Sequence, residues 1–257
     1  MRQVVDYPAL SAAISACMRP GMLTNCTLIG EELRREMAAG TLYAHPWAGG
    51  LLLFRRREGF WRMYYYINDP GCPPDLPWPS QVVTEIVRRP RDTAAAADLW
   101  QAWGFVREFT RIRMQRPGSE TGEALPPPEA VDAEEAMDLL RWCFDPRTGC
   151  LPDLEELAAD CAGGRVLTRR DEGGRLIALL RAAPYRKGWE LRHLAADPGH
   201  RGEGLAGSLA AEFTRRFGEK GSVVWVREDY AAPRHIYEKN GFCPDGWTAA
   251  VLIRKDD

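Results

Sequence analysis

One stretch of the chain, residues 205–217, has a leucine or a phenylalanine at every fourth position. Because residues four apart share one face of a helix, this pattern predicts an amphipathic helix that packs on a sheet. The preceding residues 189–196 are apolar enough to form a strand of that sheet. Pro198 ends the strand, since proline cannot continue a hydrogen-bond ladder, and a turn must follow.

The turn between this strand and this helix is rich in glycine. Gly202 and Gly204 fall at the first turn of the predicted helix, where backbone N–H groups have no partner within the helix and the helix dipole is positive. With no Cβ in the way, a phosphate can approach these N–H groups closely. The stretch is therefore a candidate anion-binding site.

The rest of the chain divides into two similar halves. In the first half we predict helices over 8–18, 26–39 and 93–103 and strands over 41–45, 50–57, 60–68, 81–88 and 108–115. In the second half we predict helices over 131–144, 154–161 and 231–239 and strands over 166–170, 176–183, 222–227 and 247–254. The predicted fold class is α/β (mixed α+β), with a mostly antiparallel mixed sheet flanked by helices in each half.

The two halves also share a short sequence pattern. Residues 99–105 (Leu-Trp-Gln-Ala-Trp-Gly-Phe) align with residues 236–242 (Ile-Tyr-Glu-Lys-Asn-Gly-Phe), and a predicted strand follows each. Where the second half has the glycine turn and its helix, the first has a loop over 69–79 with too many prolines for a helix. We therefore predict a tandem duplication in which the first copy has no phosphate site.

A polar, proline-rich stretch over 118–128 separates the halves, and we predict it to be a linker between domains 1–117 and 129–257. Charge differs across it. Up to Pro117 the chain has fifteen arginines, no lysine and eleven acidic residues, whereas the rest has nineteen basic and twenty-five acidic residues. The acidic second half favours a cationic or amine substrate, although solvation of the protein surface explains such a bias as well.

Composition excludes several classes of protein. With 45% hydrophobic and 27% charged residues the chain is globular, and its net charge of −2 argues against nucleic acid as a partner. The seven cysteines form no C-x-x-C pair, so neither zinc nor a disulfide framework is indicated. No apolar run reaches the roughly 18 residues of a spanning helix, and the first residues lack the apolar region of a signal peptide. We expect a cytoplasmic protein that binds neither a metal nor a membrane.

Two motifs compete for the glycine turn. Residues 202–207 fit Gly-x-Gly-x-x-Gly, the dinucleotide-binding fingerprint, but the chain lacks the repeated strand–helix units of that fold. Residues 201–206 fit Arg-x-x-Gly-x-Ala, and residues 237–242 fit Tyr-x-x-x-Gly-Phe. These last two motifs resemble those of the GNAT N-acetyltransferases. The resemblance covers nearly all of the second half, whereas the first half matches only the second motif, with Trp100 in place of the tyrosine.

The resemblance implies acetyl-coenzyme A (acetyl-CoA) as co-substrate, with its pyrophosphate in the glycine turn. Tyr230 stands where the family often has asparagine, which puts one coenzyme contact in question. The implied coenzyme contacts are Leu194, Ala195, Ala196, Arg201, Gly202, Glu203, Gly204, Leu205, Ala206, Gly207, Tyr230 and Tyr237.

The resemblance also implies catalytic roles. Tyr237 would protonate the departing thiolate, which a phenol can do at neutral pH, and the backbone N–H of Ala196 would polarise the acetyl carbonyl. Glu190 matches the position of the general-base glutamate in the histone-type branch of the family. His193, Glu228 and a chain of water molecules are alternatives for the base.

We therefore expect direct transfer of an acetyl group from acetyl-CoA to a primary amine of a small molecule or a peptide. The alternative is an acyl-CoA-binding sensor or interaction module without turnover. The sequence does not identify the amine, because substrate loops are the variable part of a fold. The first domain is expected to be a degenerate copy. The alternatives are that it provides the acceptor pocket or the surface through which a homodimer forms.

Overall fold

The structure is a computed structural model that describes residues 1–89, 97–119 and 125–254. Contacts divide the chain into two compact units, the first formed by Met1–Thr110 with Ala249–Asp257 and the second by Arg111–Thr248. Among the described residues, no helix has both the length and the apolar character needed to cross a membrane.

The first half of the chain begins with two helices and continues mainly with strands. Its elements are β1 (Arg2–Gln3), α1 (Tyr7–Cys17), β2 (Leu23–Thr24), α2 (Gly30–Ala38), β3 (Leu42–Trp47), β4 (Gly50–Arg57), β5 (Phe60–Ile67), β6 (Val82–Arg88), α3 (Ala97–Ala102) and β7 (Phe105–Arg116).

The second half repeats this arrangement and adds one long helix. Its elements are α4 (Ala133–Cys143), α5 (Leu154–Ala162), β8 (Val166–Arg170), β9 (Leu176–Tyr185), β10 (Gly188–Ala196), a 3-10 turn (Pro198–His200), α6 (Leu205–Phe217), β11 (Ser222–Arg227), α7 (Ala231–Lys239) and β12 (Cys243–Arg254).

Both halves follow the same order, as the repeat predicts: two helices, three antiparallel strands and a strand parallel to the third. β5 pairs in parallel with β6, and β10 pairs in parallel with β11. Helix α6 connects β10 to β11, whereas residues 68–81 between β5 and β6 form neither a helix nor a strand. These mixed, mostly antiparallel sheets with their helices confirm the predicted fold class.

Each unit also contains a strand from the other half of the sequence. The end of β7, residues 111–116, pairs antiparallel with β11 in the second unit, where Met114 is fully buried. β12 lies beside β6 in the first unit, where Val251 and Ile253 pack against Val83. The units therefore differ from the predicted domains 1–117 and 129–257. The prediction followed the polar linker, but pairing partners decide to which sheet a strand belongs.

Several elements begin elsewhere than predicted. α2 begins at Gly30 rather than at position 26, because its N-cap is Ile29, whose backbone N–H donates to the Glu32 side chain at 2.8 Å. Before it, Asn25 is held between strands: its amide nitrogen donates to Thr84 Oγ1 at 3.0 Å, and its amide oxygen accepts from Tyr65 N at 3.0 Å. β7 and β12 begin before the predicted positions 108 and 247. Residues 93–96, predicted as the start of α3, lie outside the described residues.

The sheet of the second unit has two differently covered faces. We call the side under α6 the α6 face; its buried residues include Met114, Ala178, Leu180, Ala182, Leu191, Leu209, Phe213, Val224 and Tyr237. We call the side under α4 and α5 the α4 face; its buried residues include Ala136, Leu140, Leu157, Leu179 and Ala195. Alternation along each strand places neighbouring residues on opposite faces.

Candidate active site

The parallel ladder between β10 and β11 is short. Only residues 189–191 of β10 pair with residues 222–224 of β11. Beyond this point β10 continues to Ala196 with β9 as its partner, and β11 continues to Arg227 with β7 as its partner. A gap therefore opens between the two strands at the carboxyl end of β10.

The backbone N–H of Ala196 points into this gap. The next residue, Asp197, donates its N–H to Ile177 O on the β9 side at 2.8 Å. Because successive N–H groups of a strand point to opposite sides, the Ala196 N–H points away from β9. It is a fixed main-chain donor at the end of the strand, and such a donor can polarise a carbonyl.

A shift in the pairing of β10 with β9 changes which of its side chains lie on each face. The pairing of β10 with β9 shifts between Leu191 and His193. Leu194 and Ala196 still pack on the α6 face, and Ala195 is buried on the α4 face. Glu190 pairs with Ala183 and His193 with Arg181, so both lie on the side opposite the α6 face.

The glycine turn is open to a ligand. Gly202 has φ +90° and Gly204 φ +77°, a left-handed conformation that glycine adopts without strain. A Cβ placed on Gly202, Gly204 or Gly207 would meet no atom within 4 Å. Helix α6 begins directly after Gly204 with no side-chain cap, so its first N–H groups are free to bind an anion.

Side chains around the turn brace one another. Arg201 is exposed, as is Glu203, whose carboxylate lies 3.0 Å from His200 Nδ1. Arg175 pairs with Asp197 at 3.1 Å and lies 3.3 Å from the other ring nitrogen of His200. The Glu203 carboxylate is therefore already paired with the His200 ring. Further along, Leu205 and Ala206 are half-buried at the start of α6.

Tyr237 lies on α7 within the core of the α6 face. It is 6% exposed and packs edge-on against Phe242, with ring centroids 6.1 Å apart. Burial raises the pKa of the Tyr237 phenol, which therefore stays protonated at neutral pH. Tyr230, at the N-terminal cap of α7, is exposed instead, and the Arg227 guanidinium lies 4.2 Å from its ring centroid.

The candidates for the base differ in environment. Glu190 has a side chain only 10% exposed, and its carboxylate pairs with Arg192 at 3.0 Å. Glu228 is exposed in the turn after β11. Burial, together with the charge of Arg181, lowers the pKa of His193 to about 3. His193 is therefore neutral, and such a weak base is unsuited to take a proton from an amine.

Cys143 and Arg111 near this site carried no signal in the sequence, and His193, named there as a possible base, makes a structural contact instead. Cys143 at the end of α4 donates its thiol to Ala196 O at 3.5 Å, and burial raises the pKa of that thiol. His193 Nε2 lies 3.0 Å from Gly149 O, and the Arg111 guanidinium donates to Thr148 O. Arg111 could not be found by motif, because it lies in the first half of the sequence.

Within the described ranges, no group of three or more His, Cys, Asp or Glu side chains could hold a metal ion.

Comparison with known proteins relates the second half to one family. Residues 133–242 match the model of the Acetyltransferase (GNAT) family. The fold is similar to that of a GCN5-related N-acetyltransferase from Sphaerobacter thermophilus, with 16% identity, a TM-score of 0.59, and coverage of 98% of this chain and 94% of that chain. No curated protein matches the sequence.

Two further solved structures share the fold. One is an acetyltransferase of the GNAT family from Colwellia psychrerythraea, with 9% identity, a TM-score of 0.55 and coverage of 99% of both chains. The other is a tandem GNAT protein from the clavulanic acid biosynthesis pathway, with 14% identity, a TM-score of 0.50, and coverage of 81% of this chain and 80% of that chain. At such identities the likeness concerns the fold alone.

Proposed function

Since residues 133–242 match the model of the GNAT acetyltransferase family, we propose that this protein transfers the acetyl group of acetyl-CoA to a primary amine. The observation that carries the proposal is the gap that opens after the third pair of the β10–β11 ladder, with the Ala196 N–H directed into it. An extended acyl donor fits such a gap, because backbone groups that a neighbouring strand would use are free there.

The glycine turn supports a phosphate-bearing donor. Its left-handed glycines and the uncapped start of α6 provide N–H donors without a Cβ in front of them. We assign the coenzyme contacts to Leu194, Ala195, Ala196, Arg201, Gly202, Glu203, Gly204, Leu205, Ala206, Gly207, Tyr230 and Tyr237. Ala195 would contact it through its backbone, since its side chain is buried on the α4 face.

The chemistry we propose uses one main-chain and two side-chain groups. The Ala196 N–H donates to the carbonyl oxygen of the thioester and stabilises the negative charge that develops there. Glu190, or water, takes a proton from the attacking amine, and Tyr237 gives its proton to the departing thiolate. The carbon–nitrogen bond forms as the carbon–sulfur bond breaks, so the products are an amide and free coenzyme A.

The direct test is release of thiol from acetyl-CoA in the presence of amines. The panel comprises a diamine, an amino acid, an aminoglycoside, an amino sugar and a peptide with a free N-terminus. We expect at least one amine to accelerate thiol release and to gain the mass of an acetyl group. Calorimetric binding of acetyl-CoA without release for any amine would contradict transfer and would favour an acyl-CoA sensor.

A further inference from the structure

The connection between α4 and α5, residues 144–153, is held against the sheet of the second unit by side chains from two strands. We call this connection the α4–α5 loop. It follows Cys143, whose thiol contacts Ala196 O at 3.5 Å. The loop therefore begins beside the end of β10, where the proposed acyl transfer takes place.

The first attachment comes from β7. The Arg111 guanidinium donates a hydrogen bond to the carbonyl of Thr148, which is buried. Along β7, Ile112 and Met114 pack on the α6 face, so alternation puts Arg111 on the opposite side, where Glu190 also lies. A residue of the first half of the sequence thus reaches a loop of the catalytic half.

The second attachment comes from His193, which is 2% exposed. Its Nε2 lies 3.0 Å from Gly149 O, and because a carbonyl only accepts hydrogen bonds, Nε2 must carry the proton. The Phe144 ring meets the imidazole edge-on, with centroids 5.3 Å apart. The low pKa agrees with a permanently neutral donor.

The loop is arranged to present these two carbonyls. Thr148 and Gly149 both donate their N–H groups to Asp145 O, at 3.2 and 2.7 Å. Cys150 follows with φ +54°, a left-handed conformation that is uncommon for a residue with a side chain. Consecutive carbonyls are thereby fixed toward different donors, one on β7 and one on β10.

From this geometry we infer that Arg111 and His193 are positioning residues for the amine acceptor: they fix the α4–α5 loop on the face of the sheet where Glu190 lies, next to the end of β10 at Ala196, as one wall of the acceptor site. The inference rests on the proposed function. It gives the first half of the chain a role in the reaction, because β7 brings Arg111 into the catalytic unit.

The test compares variants of the full chain that lose or keep a donor. Arg111→Met and His193→Met keep bulk but remove the donor, whereas Arg111→Lys and His193→Gln keep an N–H near the same place. Arg107→Met, an exposed arginine of the same strand, is the matched control. Each variant is examined by hydrogen–deuterium exchange, acetyl-CoA calorimetry and steady-state kinetics with the best amine of the panel.

We expect the Thr148 and Gly149 amides to exchange at least tenfold faster in the two methionine variants. The acceptor KM should rise about tenfold, and the acetyl-CoA Kd should change less than twofold. The donor-keeping variants should recover much of both effects. Unchanged loop exchange, or faster exchange with an unchanged acceptor KM, would overturn the inference. If the wild-type protein itself acetylates no amine, the proposed function fails, whereas the exchange data still show whether the two residues fix the loop.

Discussion

Leu191 and Val224 form the last pair of the parallel ladder between β10 and β11. Directly after Leu191 the register of β10 against β9 shifts. Such an irregularity bends a strand and increases its twist, so β10 leaves β11 at this point. The gap that we propose for the acyl donor is thus built into β10 itself, six residues before the strand meets the glycine turn at Asp197.

The glycine turn should bind the coenzyme only while it stays free of side chains. We expect Gly204→Leu to weaken acetyl-CoA binding at least tenfold, because a side chain there would stand in front of the free N–H groups of α6. Isothermal titration calorimetry with acetyl-CoA measures this effect.

Gly174→Leu is the matched control for that change. Gly174 has φ +82°, close to that of Gly204, and also has open space around it, but it lies in the β8–β9 turn. Both variants therefore carry a similar backbone strain, of about 1 kcal/mol. Equal loss of affinity in both variants would assign the effect to strain and would remove the turn from the coenzyme site.

Tyr237→Phe should lower kcat at least tenfold while the acetyl-CoA Kd changes little, because the hydroxyl is proposed to act only on the departing thiolate. Burial raises the Tyr237 pKa, so the phenol keeps its proton and its ionisation should cause no loss of kcat up to about pH 10. Tyr43→Phe, on β3 of the first unit, is the control. An unchanged kcat in Tyr237→Phe would remove this residue from the chemistry.

The sequence predicts the elements whose conformation depends on residues that are close together in the chain. Helix α6, with Leu209 and Phe213 buried, is predicted by the large apolar residue at every fourth position. The loop over residues 68–81 is predicted by its prolines. The open glycine turn follows from glycines that precede a helix. In each case a few neighbouring residues determine the conformation.

Features that depend on distant partners could not be predicted. Nothing in residues 111–116 indicates that they pair with β11 rather than with a strand of their own half. His193 looked like a candidate base because histidine commonly titrates near neutral pH, but its burial beside Phe144 makes it a neutral donor. Both depend on contacts between segments far apart in the chain.

The exchange of strands predicts that the second half will not fold alone. A fragment of residues 129–257 lacks the β7 segment that pairs with β11, including the fully buried Met114. We expect no cooperative thermal transition by circular dichroism and no binding of acetyl-CoA. Mixing or co-expression with residues 1–117 should restore both. A cooperative melt and full-length affinity in the isolated fragment would show that β7 is dispensable.

The first unit should lose stability at low pH through Glu36. Its carboxylate, with a side chain 4% exposed, pairs with Arg55 and with Arg57 at 2.8 Å. Burial alone would raise the Glu36 pKa, but the hydrogen bonds from Arg57 and Arg55 outweigh burial and lower it to about 2. Because the folded pKa lies below the unfolded value of about 4.3, the stabilisation is present above pH 4.3 and is lost as the pH falls through 2.

Glu36→Gln should therefore reduce the free energy of unfolding by about 3 kcal/mol at pH 7, and the difference from wild type should shrink towards pH 2. Urea unfolding at several pH values measures it. Glu58→Gln, in the exposed turn between β4 and β5, is the control. If the difference in free energy of unfolding between wild type and Glu36→Gln is the same at pH 7 and pH 3, the ion pairs of the charged Glu36 do not cause it.

The base can be assigned by comparing two carboxylates. Glu190 lies on β10, six residues before Ala196, with its side chain 10% exposed, whereas Glu228 is exposed after β11. We expect Glu190→Gln to lower kcat about 100-fold with the best amine of the panel, because an amide cannot accept the proton. Glu228→Gln should change kcat less than twofold. Loss of kcat in Glu228→Gln alone would move the role to that residue, and an unchanged kcat in both variants would leave proton removal to water.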